Sequence, residues 1–253
     1  MKTPFVGTDG ARRALCYLLV CASLTSNASL FTETFNSGFV NDGIIPDGNI
    51  TGWSDTRTLA IGDDSIASIS VKLNLSGGFN GDLYAYISHN GILLPLLNRA
   101  GLANSSPGSS FGYSNPGFNI TLSSGGANDI HFYGRSSPTF NGFGQLDGTW
   151  QPDGRTISPL SSPGSFDTAG RSTFNSYDNQ DPNGTWTLFF ADMSGGGGTS
   201  SLVSWELDIT TLSVVPEPVN LALGIVAAGL IGSGVIRGRR KALARRITSN
   251  QGD

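Results

Sequence analysis

Few side chains in this sequence could carry nucleophilic or acid–base chemistry. There are two histidines, His89 in SHNG and His131 in DIHFYG, and two cysteines, Cys16 and Cys21, both near the start of the chain. A serine hydrolase needs a nucleophile, a histidine base and a carboxylate that orients the base. We place His89 in a hairpin turn and His131 in a strand, and we identify no such triad. The sequence therefore predicts a protein that is not an enzyme.

The sequence also lacks the common motifs that bind metals or phosphate groups. No His-x-x-x-His pair, His/Cys cluster or Gly-x-x-x-x-Gly-Lys loop occurs, so the usual zinc and phosphate patterns are absent and no cofactor is required. Residues 29–215 hold 6 Lys and Arg against 16 Asp and Glu, a formal net charge of −10. The negative net charge of this region argues against nucleic acid as a partner, because binding to phosphates needs cationic side chains. It is compatible with calcium or with a well-solvated surface.

The first 28 residues have the order of a secretory signal peptide. Lys2, Arg12 and Arg13 precede the apolar run 14–24, which is followed by the polar segment TSNAS. We place cleavage after Ala28. The segment LLVC at 18–21 leaves a lipoprotein signal open as a weaker alternative. Both cysteines would be removed with the signal peptide, so the mature domain has no disulfide and depends on core burial.

The C-terminal segment has the composition of a membrane anchor. Residues 219–236 carry no charge over eighteen positions, which is about 27 Å as a helix and enough for a bilayer core. The basic residues of 237–253 would hold this end in the cytoplasm. A buried core helix with a basic tail remains an alternative. Together with Pro216, Glu217 and Pro218, this order resembles the PEP-CTERM sorting signal of bacteria. The resemblance implies export, recognition by an exosortase-type transpeptidase, and transfer from the inner membrane to the cell surface or matrix.

Between these ends the sequence alternates polar and apolar residues with period two. In SISVKLNL, for example, Ser70, Lys72 and Asn74 take the face opposite the apolar residues. Turn signals such as Asn80-Gly81 and Asn183-Gly184 separate the segments. We predict an all-β, jelly-roll-like β-sandwich over 40–211, with linkers at 29–39 and 212–218. The predicted inward residues are Ile69, Val71, Leu73 and Leu75; Leu83, Ala85 and Ile87; Phe118, Ile120 and Leu122; Trp186, Leu188 and Phe190; and Val203, Trp205, Leu207 and Ile209.

Several motifs of this region are similar to the P domain, also called Homo B, of proprotein convertases and subtilisin-like proteases. FNGDLYAYISHNG at 79–91 is similar to its first half, and GTWQPDG at 148–154 to a short turn of the family. The closing segment 174–210 follows the family pattern of Asn-Gly-x-Trp, an Asp, a Gly-rich loop and a Ser-Trp strand. The likeness covers residues 40–211 and leaves no room for a catalytic domain. GTSS at 198–201 has only a superficial likeness to a subtilisin nucleophile segment.

The motif residues have structural interpretations. Trp186 and Trp205 are in phase with inward residues, so we expect them to anchor the core. Asp82 and Asp192 are expected to satisfy backbone groups of turns. The P-domain resemblance also implies calcium as a possible cofactor, with Asp181 and Asp192 as oxygen donors.

Two functions follow from these features. The first is an exported surface or matrix protein that binds polysaccharide, another surface protein or itself. The tyrosines expected to be exposed for such contacts are Tyr84, Tyr86, Tyr113 and Tyr133. The second is an accessory module that docks on a separate subtilisin-like serine endopeptidase.

Overall fold

The structure is a computed structural model that describes residues 24–62, 64–216, 226, 229 and 230 of the 253-residue chain. The predicted signal peptide before Leu24 lies outside the described residues. So do Glu217 and Pro218, the basic tail, and the membrane helix predicted at 219–236 except for three positions. Among the residues that are described, no helix is long and apolar enough to cross a membrane.

Residues 24–216, apart from position 63, contain ten strands and four short helices. The strands are β1 (Leu24–Phe35), β2 (Ile44–Ile45), β3 (Trp53–Leu59), β4 (Ser65–Ser76), β5 (Leu83–His89), β6 (Ile92–Asn98), β7 (Phe118–Ser123), β8 (Leu146–Trp150), β9 (Gly184–Asp192) and β10 (Ser200–Pro216). Three 3₁₀ helices span Val40–Gly43, Ile130–Arg135 and Phe174–Tyr177, and α1 spans Pro163–Phe166.

The strands form two sheets. The six-stranded sheet has the order β1-β10-β4-β7-β8, with β2 also paired to β10, and the four-stranded sheet has the order β3-β9-β5-β6. β7 and β8 pair in parallel, whereas the pairs β10–β2, β10–β4, β4–β7, β3–β9, β5–β6 and β5–β9 are antiparallel. The predicted all-β sandwich is therefore confirmed as an architecture, and it lies within the unit Asn27–Ser213.

The inner faces of both sheets supply a single hydrophobic core. Alternation of side chains along each strand puts every second residue into this core. On β4, Val71, Leu73 and Leu75 are fully buried, and on β9 the same holds for Leu188 and Phe190. Burial of this many large side chains is the main stabilising term in a domain without disulfides.

The predicted linkers are wrong over 29–35 and 212–216, whereas residues 36–39 lie outside the strands and helices. Residues 29–35 belong to β1, which pairs with β10, and residues 212–216 belong to β10 itself. The physical reason is side-chain packing: the ring of Phe35 lies 4.5 Å from that of Trp205. The expected cleavage bond after Ala28 falls inside β1, so cleavage there would leave the strand from Ser29 onward.

Two local assignments also need correction. Val203 was expected to face inward with Trp205, but Val203 is 49 % exposed and Leu202 is buried instead. A β-bulge between Leu202 and Ser204 reverses the alternation at this point. His131 lies in a 3₁₀ helix rather than a strand, and the side chain of Asp129 caps that helix by accepting from the His131 N–H at 2.9 Å.

Candidate functional site: the outer face of the six-stranded sheet

The outward residues of β10, β4, β7 and β8 form aligned polar rows. Asn74 on β4 stands opposite Ser204 on β10 and Asn119 on β7, and Asn119 stands opposite Asp147 on β8. One step along the strands, Lys72 stands opposite Glu206 and Thr121. We call these rows the outer polar face, and it comprises Ser204, Asn74, Asn119, Asp147, Glu206, Lys72, Thr121 and Thr149.

The amide groups of this face are partly committed to one another. Gln145 Nε2 donates to Asn74 Oδ1 at 3.0 Å and to the Leu75 carbonyl at 2.6 Å. Asn119 Nδ2 donates to Asp147 Oδ1 at 3.3 Å. Within the described part of the chain, Asn74 Nδ2 and Asn119 Oδ1 make no hydrogen bond. Asn74 thus presents an unbonded amide nitrogen with two N–H donors, and Asn119 on the adjacent strand presents an unbonded amide oxygen.

Two shallow depressions meet at Asn74. One has a volume of about 240 Å³ and is lined by Thr34, Lys72, Asn74, Asn119, Ser204 and Glu206. The other, of about 300 Å³, lies beside Phe143 and Val203. Phe143 is 86 % exposed, so an apolar ring stands at the rim of a polar surface. The combination of amides, hydroxyls and an exposed ring can hydrogen-bond and stack at once.

The charges on this face are paired with neighbours. Lys72 Nζ lies 3.6 Å from Glu206 Oε1, and Thr34 Oγ1 donates to Glu206 Oε2 at 2.6 Å. Because the lysine side chain is 52 % exposed, this ion pair contributes little to stability. Asp208 accepts from Thr32 at 2.6 Å and from Ser70 at 3.1 Å. The face therefore presents hydrogen-bonding groups without a large unpaired positive charge.

The four tyrosines expected as exposed contact residues divide into two groups. Tyr84 and Tyr86 lie half-buried on the outer face of the other sheet, where Tyr86 stacks on Phe189 at 4.7 Å with an interplanar angle of 14°. Tyr133 is 1 % exposed and packs 4.3 Å from Tyr113. The expectation for Tyr133 is wrong because its ring fills the core, and burial raises the pKa of its hydroxyl.

The two aspartates predicted as calcium donors are not brought together. Asp181 precedes β9 and Asp192 ends it, and the nine residues of that strand place its ends roughly 26 Å apart. Asp181 is exposed, and its Oδ1 accepts from the backbone N–H of Asn183 at 2.9 Å and from its side chain at 2.7 Å. These bonds to Asn183 lower the pKa of the Asp181 carboxyl. Any site at Asp192 must therefore use other partners.

Both predicted anchor tryptophans lie in the core. Trp186 is 0 % and Trp205 1 % exposed. The Trp186 indole N–H donates to the Pro182 carbonyl at 3.0 Å, and that of Trp205 donates to Asp55 Oδ2 at 2.7 Å. Each ring thus finds a partner for its polar atom, as buried tryptophans generally require.

Both histidines are buried, His89 at 2 % and His131 at 0 % exposure. His89 stacks on Trp186 with ring centroids 3.9 Å apart. His131 Nδ1 lies 2.7 Å from Asp153 Oδ2, which resembles half of a triad, but its Nε2 faces the Leu102 carbonyl at 3.1 Å. The position that a nucleophile would occupy is therefore filled by a backbone oxygen.

Sequence analysis did not identify the outer polar face as a site. The signal was present in the polar half of each alternating strand, such as Lys72 and Asn74. The alternation within a strand does not reveal the order of the strands in the sheet. It is this order that places Asn119 opposite Asn74, although 45 positions separate them in the chain.

No family model matches the chain, and no curated protein matches it. Both the P domain and the PEP-CTERM signal thus stay resemblances based on motifs.

Two similar solved structures are of a serine protease from Aeromonas sobria. The protease in complex with its chaperone ORF2 has 15 % identity and a TM-score of 0.42, covering 74 % of this chain and 27 % of that one. The protease alone has 14 % identity and a TM-score of 0.39, covering 73 % of this chain and 27 % of that one. This chain thus spans about a quarter of the length of those it matches.

Proposed function

We propose that the chain is an exported, non-catalytic β-sandwich that binds a neutral, hydroxyl-rich polysaccharide of the cell surface or matrix. The observation that carries this proposal is the pair of free amide atoms, Asn74 Nδ2 and Asn119 Oδ1, aligned on adjacent strands. A sugar hydroxyl both donates and accepts hydrogen bonds, so a matched donor and acceptor suit it.

Charge favours a neutral polymer over an anionic one. Residues 29–215 carry a formal charge of −10, and Glu206 and Asp147 stand on the outer polar face itself. An anionic polymer would be repelled at low ionic strength. The exposed ring of Phe143 supplies an apolar surface beside the amides, which suits the C–H face of a sugar ring.

Export and sorting belong to the same proposal. The N-terminal segment would be cleaved after Ala28, and an exosortase-type enzyme would act at Pro216–Pro218 after the apolar helix has held the chain in the inner membrane. Intact mass of the protein from membrane, surface and medium fractions tests this. A surface species that begins at Ser29 and ends near residues 216–218 is expected. A full-length tail found only in the membrane would refute sorting.

The binding proposal is tested by affinity gel electrophoresis with dextran, starch and xylan, and with alginate as an anionic comparison. The double variant N74A/N119A should lose about tenfold or more in affinity, because each lost hydrogen bond contributes roughly 0.5–1.5 kcal/mol. The matched control is T56A/T187A, which removes a cross-strand hydroxyl pair 3.1 Å apart on the outer face of the other sheet. It should bind as the wild type does.

Two results would overturn the proposal. One is equal retardation of N74A/N119A and wild type in every gel that retards the wild type. The other is the absence of retardation by any of the neutral polymers. Co-purification with an active serine protease and no binding to polysaccharide would instead favour the accessory-module function.

A further inference from the structure

The free donor of Asn74 and the free acceptor of Asn119 depend on how neighbouring groups orient the two amides. An amide side chain has a carbonyl oxygen that accepts hydrogen bonds and an NH₂ group that donates them, so turning it over exchanges these roles. Which atom faces solvent is therefore decided by the group that holds the inner atom. In both cases that group can be traced to the backbone, whose donors and acceptors have fixed roles.

The orientation of Asn74 is set by two further amides, starting in the turn 141–145. The backbone N–H groups of Phe143 and Gln145 donate to Asn141 Oδ1 at 2.9 Å and 3.1 Å. Because these donors hold the Asn141 oxygen, its Nδ2 points the other way and donates to Gln145 Oε1 at 2.7 Å. Gln145 therefore turns its NH₂ group towards β4.

Gln145 passes this orientation on to Asn74. The residue is only 6 % exposed, and its Nε2 donates to the Leu75 carbonyl at 2.6 Å and to Asn74 Oδ1 at 3.0 Å. A backbone carbonyl only accepts, so Leu75 independently requires a donor at this position. Both N–H groups of the glutamine are used, and the Asn74 oxygen is held inward. Asn74 Nδ2 consequently faces outward.

A shorter chain of contacts sets the orientation of Asn119. Gly148 N–H donates to Asp147 Oδ1 at 2.9 Å, and Asn119 Nδ2 donates to the same oxygen at 3.3 Å. An ionised carboxylate only accepts, so Asn119 turns its NH₂ group towards Asp147 and leaves its own oxygen free. Two separate sets of contacts, each starting from backbone N–H groups, thus give adjacent strands opposite hydrogen-bonding roles.

We infer that Gln145 and Asp147 are the positioning residues of the outer polar face, and that the orientation they impose selects an unsubstituted sugar hydroxyl. A hydroxyl can accept from Asn74 Nδ2 and donate to Asn119 Oδ1, whereas the ether oxygen of an O-methylated sugar can only accept. The choice of ligand rests on the proposed polysaccharide binding. The orientation of the amides is a property of the free protein and can be measured without a ligand.

The first measurement is the exchange of side-chain NH₂ protons with water, by NMR of the full-length protein without polysaccharide. In the wild type the NH₂ group of Asn74 should exchange freely and that of Gln145 should be protected. Q145E puts an oxygen in place of Nε2, and this oxygen carries at most one proton, which the Leu75 carbonyl takes. Asn74 must then turn its NH₂ group inward, and its exchange should slow roughly 2- to 10-fold, the factor that one hydrogen bond supplies.

The second measurement is affinity gel electrophoresis with dextran, starch and xylan, each compared with its O-methylated form. The wild type should bind the methylated polymers roughly 2- to 10-fold more weakly, because they cannot donate to Asn119 Oδ1. Q145E should bind the unmodified polymers more weakly than the wild type by a similar factor, because an oxygen then replaces the outward donor of Asn74.

Asp147 supplies a matched pair of variants. D147N keeps an oxygen beside the Gly148 N–H, so Asn119 should keep its orientation, its NH₂ exchange and the wild-type affinity. D147A removes the acceptor, so the NH₂ group of Asn119 should exchange faster and affinity should fall roughly 2- to 10-fold. Should Q145E fail to fold, this pair carries the test, because Asp147 is only half-buried.

Equal exchange of the Asn74 NH₂ group in Q145E and wild type would overturn the positioning role of Gln145. Equal exchange of the Asn119 NH₂ group in D147A and D147N would do the same for Asp147. Equal affinity of the wild type for methylated and unmodified polymers would refute the selection of a hydroxyl. If the wild type binds none of the neutral polymers, the proposed function and this selection both fail, while the exchange rates still decide the two positioning roles.

Discussion

Replacing Asp153 by Asn is expected to destabilise the fold by about 3 kcal/mol. Asp153 is fully buried between two hydrogen-bonding partners, with His131 Nδ1 at 2.7 Å and Arg155 Nη1 at 3.1 Å. Burial by itself would raise the pKa of Asp153, but the charges and hydrogen bonds of His131 and Arg155 lower it. Asparagine keeps the shape, removes the charge and turns one acceptor into a donor that faces other donors.

The magnitude follows from what the partners lose. Removing one member of a buried ion pair costs about 3–5 kcal/mol, because the other charge stays buried. The lower end applies here, since Arg155 keeps Asp129 at 2.9 Å. With a urea slope of about 2–3 kcal/mol/M, the unfolding midpoint should fall by roughly 1–1.5 M.

The assay is urea unfolding at pH 7, followed by circular dichroism, of wild type, D153N and the control D129N. Asp129 is 19 % exposed and caps the helix that begins at Ile130. Asparagine caps as well as aspartate does, and Arg155 would keep Asp153 as its partner, so D129N should cost less than D153N. A D153N midpoint within about 0.3 M of the wild type would refute the reasoning.

The pH dependence gives a second check on Asp153. Its folded pKa lies below the unfolded value of 3.8, so the stabilisation is complete above pH 4 and is lost as pH falls through the folded pKa. D153N lacks this contribution at every pH. The difference in stability between wild type and D153N should therefore shrink below pH 4, and a constant difference would contradict the assignment.

Three further predictions concern other parts of the fold. Trp205→Phe should lower the free energy of unfolding by about 2–4 kcal/mol, because it leaves a cavity and removes the 2.7 Å hydrogen bond to Asp55. Chemical denaturation measures this change, and a loss below about 1 kcal/mol would contradict the prediction. In EGTA the stability of wild type relative to D82N should fall as pH rises from about 4 to about 6, since the folded pKa of Asp82 lies above the unfolded value of 3.8. A relative stability that rises over this range in thermal melts would refute the raised pKa. Val203→Asp should change the free energy of unfolding by no more than about 0.5 kcal/mol, because Val203 is exposed, whereas Leu202→Asp should prevent folding. Circular dichroism of the two variants measures this. A folded Leu202→Asp variant together with an unfolded Val203→Asp variant would exclude the bulge.

The strands and their inward faces were predictable because they depend on local spacing. Leu83, Ala85 and Ile87 alternate with Tyr84 and Tyr86, and side chains of a strand alternate between faces whatever its partners are. The pattern failed at Val203, where one extra residue in β10 shifts the alternation. A bulge depends on the partner strand, so the spacing within β10 could not reveal it.

Pairing between distant segments could not be predicted from local pattern. Residues 29–35 carry strand-like alternation but border a predicted signal peptide, and only their pairing with β10 makes them β1. Tyr133 looked like an exposed ring in a polar segment, yet the fold places it 1 % exposed against Tyr113. Burial of such residues depends on which loops pack over them.

By itself, the sequence determined the class of the domain, the apolar residues that fill its core, its acidic charge and its dependence on burial rather than disulfides. These properties follow from the composition and from the alternation of apolar and polar residues within each strand. Only the tertiary structure decided which polar residues act together. It separated Asp181 from Asp192 along one extended strand and brought Asp82, more than a hundred positions earlier, to Asp192. The physical reason is that strand order and register are set by the packing of the two sheets as a whole, and polar groups on different strands meet only when that packing is complete.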